Sequence, residues 1–381
     1  MNNLLLPATE IRFNDPAAGT PWINFDFSRR SRIILPGHLD GNPLVLLLDS
    51  GAEKTIIDQS YANTLKLRRT GTTVFTDRNR VSINSLASGI RITLPGLTVT
   101  PNEVVLADLR PIGTMTGIQI SAILGREIFE RTVVEIDFNQ TRIRFLPFDG
   151  FVPRRCAVGI PLRKFHAGHG RVIDVQLGNE GTVPLEFDLG SANPIVLQRS
   201  YWEQTNLGKG PLSNSLIGGV GGIREAHLTS LPFVQIGGWR INEVDTLLEI
   251  KLAQMEARLG NGLLGMPLIS KFRVTTDFNR NMLYLGVDEN ANALSLSRHR
   301  SGLRLLQEDQ SLRVILVARN SPAEKAGWKI GDQIASVSGH RIDEHYWRGS
   351  VAQWHELGNG TKVNLVMVDG TSRLLVLQDY Y

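Results

Sequence analysis

The chain is 381 residues long and lacks several features that would announce a function. Its single cysteine, Cys156, excludes an intramolecular disulfide and a cysteine-built zinc site, so stability is left to packing. No apolar run approaches the length of a membrane helix, and the compact stretch from Pro43 to Leu48 stops at Asp49. There is no basic block. Lysine and arginine number 41 against 37 acids, for a net charge of +4. The pairs Arg29-Arg30, Arg68-Arg69 and Arg154-Arg155 are scattered, not gathered into a nucleic-acid stripe. The near balance of charge also argues against the heavily acidic surface of a protein adapted to strong acid. The histidines form no ligand set: His166 and His169 stand in a glycine-rich stretch, and His340, His345 and His355 lie far along the chain. The sequence therefore leads us to expect no metal, no cofactor, no nucleic-acid partner and no membrane span. The start, Met1 to Pro7, lacks the basic and apolar regions of a signal peptide. A cytoplasmic protein is expected, or a periplasmic or secreted one if a signal was removed.

What the chain does have is punctuation. With 37 glycines, 17 prolines and short runs of Val, Ile and Leu, it reads as mainly β, and its length allows two or three domains. An internal repeat organises most of it. Asp137-Phe138-Asn139 recurs as Asp277-Phe278-Asn279, and each copy lies twelve residues after the glycine of an apolar triplet, Ile123-Leu124-Gly125 or Leu263-Leu264-Gly265. Each copy then enters an alternating strand, Thr141 to Phe145 or Asn281 to Leu285. Upstream, each has an apolar segment that ends at an aspartate and a turn: Leu44 to Leu48 before Asp49-Ser50-Gly51-Ala52, and Val183 to Phe187 before Asp188-Leu189-Gly190-Ser191. From aspartate to triplet glycine is 76 residues in one copy and 77 in the other. Four landmarks in the same order imply duplication and two pseudo-twofold β-lobes, residues 1–150 and 151–288, joined near Phe148 to Arg155.

The paired loops and triplets resemble the aspartic proteases of the retropepsin and pepsin type, in which each lobe supplies one Asp-[Thr/Ser]-Gly-[Ala/Ser] loop. The resemblance implies a catalytic dyad of Asp49 and Asp188, supported by Ser50, Gly51, Gly190 and Ser191, with the triplets packed behind the loops. Two carboxylates at hydrogen-bonding range cannot both ionise cheaply, so such a pair shares one proton and titrates as a unit. One member can then activate water while the other polarises the substrate carbonyl. Two departures stand out. Leu189 lacks the hydroxyl that the family uses to bond across to the opposite loop. Ser191 is expected to compensate by bonding the outer oxygen of its aspartate, which Ala52 cannot do.

The resemblance also implies glycine-rich flaps closing over an extended substrate. Gly218 to Gly222, including Gly219 and Gly221, is expected as one, and Asn84 to Gly89, including Ser85 and Gly89, as the other; the pepsin flap tyrosine has no match. After a polar linker, Asn290 to His299, the stretch from Asn320 to Gly339 resembles the bacterial PDZ signature, giving a PDZ domain at 299–381. Gly302, Leu303, Arg304 and Leu305 are then expected to form the loop that captures a peptide carboxylate, with Tyr346 to Leu357 as an amphipathic wall of the groove. The expected function is that of a monomeric aspartic endopeptidase acting on polypeptide, with the PDZ domain recruiting or gating substrate. The alternative is an impaired pseudoprotease that acts as a peptide-binding adaptor.

Overall fold

Short apolar runs between turns become strands, and the chain is mainly β. The computed structural model describes residues 9–28, 31–76, 81–165, 170–250, 260–287 and 294–381. The expected start Met1 to Pro7, Arg29-Arg30, His166, His169 and the Asn290 to Ala293 part of the linker lie outside these residues. A 10-stranded sheet is built from strands between Glu10 and Leu124, and an 8-stranded sheet from strands between Arg163 and Gly265. A 6-stranded sheet is shared between the two halves, and residues 303–376 form a further sheet of their own.

The repeat becomes the same three-strand arrangement twice. In the first half, Asn42–Leu48 runs parallel to Ala122–Leu124 with Leu48 opposite Leu124, and Ile56–Asp58 pairs antiparallel on the other side. In the second half, Thr182–Asp188 runs parallel to Gly262–Gly265 with Asp188 opposite Gly265, flanked in the same way by Ile195–Leu197. The triplets carry no polar side chain because these middle strands are buried on both faces.

The Asp-Phe-Asn copies are the turns of the shared sheet. Asp137 accepts the Gln140 N–H at 3.2 Å and Asp277 accepts that of Arg280 at 3.0 Å, and each turn closes on a residue of positive φ, Thr141 or Asn281. Val133–Asp137 pairs antiparallel with Arg273–Asp277, so the sheet is continuous across the halves. The buried Asp137 carboxylate meets Arg273 at 3.0 Å across that join. One hydrophobic core runs through both halves and this sheet.

The outer face of the first sheet carries a second apolar cluster, which includes Leu47, Ile56, Leu86 and Ile123. The helix Arg110–Thr116 covers it with Leu109 and Ile112. The second sheet carries a buried cluster of Val196, Ile217, Ala226, Leu228, Leu247 and Leu263, and Tyr380 and Tyr381 pack against it. Residues 303–376 have their own core. Tyr346 to Leu357, expected as one amphipathic element, is two 3-10 segments, Tyr346–Arg348 and Ser350–Glu356. No helix among the described residues is long and apolar enough to cross a membrane.

Candidate active site

Asp49 and Asp188 sit where their strands end and the chain turns. The Asp49 Oδ1 accepts the N–H groups of Gly51 at 2.8 Å and Ala52 at 3.0 Å, and the Asp188 Oδ1 accepts that of Gly190 at 2.8 Å. Each glycine then abuts the other half's aspartate. A Cβ on Gly51 would lie 2.8 Å from Asp188 Oδ1, and one on Gly190 would overlap the Asp49 carboxylate. Only glycine leaves room for this approach, which brings the two carboxylates together where the halves meet. The triplet glycines serve similarly: a Cβ on Gly125 would strike the Lys54 backbone, and one on Gly265 would lie 2.8 Å from Ser191 Oγ.

The cross-ties between the loops are asymmetric. The Ser50 hydroxyl donates to the Phe187 carbonyl at 2.9 Å and accepts the Leu189 N–H at 3.0 Å. Leu189 returns no such bond; it is fully buried in the main core. The Ser191 hydroxyl, expected at the outer oxygen of Asp188, engages Asn193 instead, accepting its N–H and donating to its carbonyl at 3.4 Å each. The reason is the turn that follows, which folds back over Gly265. A second cross-tie comes from a residue that the sequence reading passed over. The buried Arg32 guanidinium donates through Nη1 to the Gly190 carbonyl. Behind the first loop, Thr55 accepts the Gly125 N–H at 3.2 Å and donates its own N–H to Glu127 at 2.7 Å. Burial holds the Glu127 carboxyl above the usual carboxylate range.

Two long hairpins approach each other across the two halves. Ser213–Gly219 and Gly222–Ile236 form the second, with Gly219 opposite Gly222 and Val220-Gly221 as its two-residue tip. Gly218 rests on the Met115 sulfur, where any Cβ would collide, and Val220 packs on the first half's outer cluster. The first hairpin is Arg69–Thr76 with Val81–Ala87. Between the two lies a cleft of about 230 Å³, lined by Phe75, Ile83, Asn84, Asp108, Val220 and Gly221.

Residues 35–128 match the family model described as Aspartyl protease. The matched stretch carries Asp49, Ser50, Gly51 and Ile123-Leu124-Gly125, and it ends before the second copy of the repeat. No curated protein matches the chain. Among solved structures, a similar one is the aspartic proteinase from Irpex lacteus, with a TM-score of 0.44 and 12% identity over 72% of this chain and 100% of that one.

The structure thus brings together Asp49, Asp188, Ser50, Gly51 and Gly190, and it puts Gly219 and Gly221 at a hairpin tip. Ser85 and Gly89 differ from expectation. Ser85 lies mid-strand, paired with Thr72 and Leu106, and Gly89 follows the strand's end at φ 73. The tip of that hairpin falls at residues 77–80, outside the described residues. The expected carboxylate loop also differs. Gly302 and Leu303 are buried, the Leu303 N–H already donates to Ser301 Oγ at 3.1 Å, and Gly302 packs on Ser321. Arg304 turns to the second hairpin, donating to Ser215 Oγ at 3.0 Å. Nearby, Ser213 donates to the Arg319 carbonyl at 2.6 Å, and the Arg319 N–H donates to Asn214 at 2.8 Å. These groups dock residues 303–376 onto the strand that carries the second hairpin, and the Leu303 amide is already committed to Ser301. Cys156 is exposed and free, and no cluster of metal-ligating side chains occurs among the described residues.

Proposed function

We propose that the chain is an aspartic endopeptidase whose dyad is Asp49 and Asp188, one from each of two acid-protease lobes. The observation that carries this reading is the reciprocal approach of Gly51 to the Asp188 carboxylate and of Gly190 to that of Asp49, tied by Ser50. Two carboxylates held this way can divide the work, one as base and the other as acid. The ionised member takes a proton from a water lying between them as that water attacks the peptide carbonyl. The protonated member donates to the developing oxyanion, and the tetrahedral adduct collapses with proton transfer to the leaving amine. No covalent enzyme intermediate forms.

The cleft between the two hairpins would take an apolar side chain of a polypeptide substrate against Phe75, Ile83 and Val220. One chain supplies both aspartates, so a monomer suffices. Residues 299–381 are read as a PDZ-like unit, supported by the strand order and by the short helix Pro322–Lys325 capped by Ser321. Its docking on Ser213, Asn214 and Ser215 gives it the role of bracing the second hairpin.

The test is cleavage of an unfolded protein by the full chain and by Asp49→Asn and Asp188→Asn. Each replacement should lower kcat/KM by about a thousandfold or more, since neither carboxylate works alone. A wild-type chain that cleaves nothing between pH 3 and 8, yet binds the same polypeptide, would establish the adaptor reading in its place.

A further inference from the structure

The repeat contains a second matched pair that the dyad mechanism does not use. Arg32 stands seventeen residues before Asp49, and Arg171 stands seventeen before Asp188. Both are buried, at 8% and 5% exposure. A buried guanidinium must find acceptors or counter-charges, and the two find different ones. Arg171 lies over the Phe278 ring at 5.0 Å and reaches Glu130 at 4.0 Å, away from the dyad. Arg32 crosses to the other half and donates to the carbonyl of Gly190, the residue packed against the Asp49 carboxylate. Its Nε has no partner among the described residues.

Among the described residues, Asp49, Asp188 and Asp26 are the charged groups near Arg32. Desolvation lowers its pKa, and the charges of Asp49 and then Asp188 act against that fall, so the guanidinium lies within the electrostatic reach of both carboxylates. Asp26, on the segment bridged to Ile34, shares a small cavity with it, where the remaining walls are Ser28, Ser31, Ile34, Thr116 and Ile118. Leu189 has removed one of the two hydroxyl cross-ties, and Arg32 enters the loop that lost it.

We propose that Arg32 is a positioning residue of the dyad: it holds the Asp188 loop through Gly190 and supplies one fixed positive charge to both carboxylates, which moves the pH window of activity toward acid. This rests on the protease reading. The sign follows from Coulomb's law. A nearby cation favours an ionised carboxylate over a protonated one, so loss of the Arg32 charge should displace the pH dependence of activity upward.

The test compares pH profiles of kcat/KM for the full chain, Arg32→Lys and Arg32→Met on one unfolded-protein substrate. Arg32→Met should move the optimum upward by about 1 pH unit or more. Arg32→Lys should keep the optimum near that of the wild type while lowering kcat, because the charge remains and the planar fork is lost. A purely structural role predicts lower activity at every pH with no displacement, and that result would overturn the proposal. So would a Lys variant displaced as far as the Met variant. If Arg32→Met does not fold, Arg32→Gln, which is neutral and still able to donate to Gly190, takes its place with the same expected displacement. Carbon-13 NMR titration of the aspartate carboxyls separates the two claims. A wild-type chain without cleavage at any pH ends the protease reading, whereas dyad titration unchanged by loss of the Arg32 charge ends this one.

Discussion

The two aspartate loops come from one duplicated motif, yet they have taken different parts. The first keeps the hydroxyl at Ser50 and reaches across; the second has Leu189 in the core and is reached for, by Ser50 and by Arg32. Their surroundings differ in the same sense. The first sheet's outer face is closed by a local helix, Arg110–Thr116, whereas the second's is packed by Tyr380 and Tyr381 from the far end of the chain. Two loops of like sequence are therefore held by unlike contacts. Each half can stabilise its loop by separate means, and changes on the two sides should have unequal effects.

The largest effect is expected from replacing both Tyr380 and Tyr381 by Ala. This uncovers Ile217, Leu228 and Leu247 and also removes the Tyr381 hydroxyl bond to Asp245, for a loss of about 3 kcal/mol or more in a urea titration. A negligible loss would mean that the second sheet does not depend on its remote cover. Next, Ser50→Ala removes both hydroxyl cross-ties and should cost about 1 to 3 kcal/mol. Leu189→Thr, by contrast, should also destabilise, because it trades core packing for a hydroxyl, and a gain in Tm would show that symmetry can be restored. Gly218→Ala should displace the second hairpin from Met115 and lower kcat/KM about tenfold with little change in Tm. The reverse split would make that contact structural only.

The smallest effect concerns acid. His299 and His355 stack at 4.3 Å where the C-terminal unit is packed, and burial lowers both, His355 to about 3. Each is neutral in the folded chain, so its contribution is fully present above the unfolded value near 6.5 and is lost as pH falls from there toward 3. The melting temperature of the wild type should therefore fall faster between pH 6 and 4 than that of His355→Phe. Parallel curves would show that the pair does not titrate with unfolding.

Much of this was legible in the sequence because it depends on local pattern. The apolar runs ending at Asp49 and Asp188, the triplets and the Asp-Phe-Asn turns each encode one strand or turn, and their spacing carried the pairing. Three things were not legible. The first hairpin is expected at Asn84 to Gly89, where Gly89 offers a turn, yet most of that stretch lies in a strand, Val81–Ala87, paired with Arg69–Thr76. Arg32 carries no local motif, since its contact is with a loop more than 150 residues away. Its spacing, shared with Arg171, was the available signal. The buried Gly302-Leu303 loop was misread because strand order can be inferred from sequence, while the surface a unit docks against cannot.

The shared sheet has a consequence for how the molecule comes into being. Its central pair joins Val133–Asp137 to Arg273–Asp277, and Asp188 takes its register from Gly265, so contacts distant in sequence must close before the two aspartates meet. Such closures are slow, and chains emerge from the ribosome amino end first. A nascent chain that already carries both aspartates but stops short of residue 265 lacks the strand that sets the register of Asp188. The junction of the two aspartate loops can therefore close only after residue 265 has been made, so its assembly belongs to the late part of synthesis.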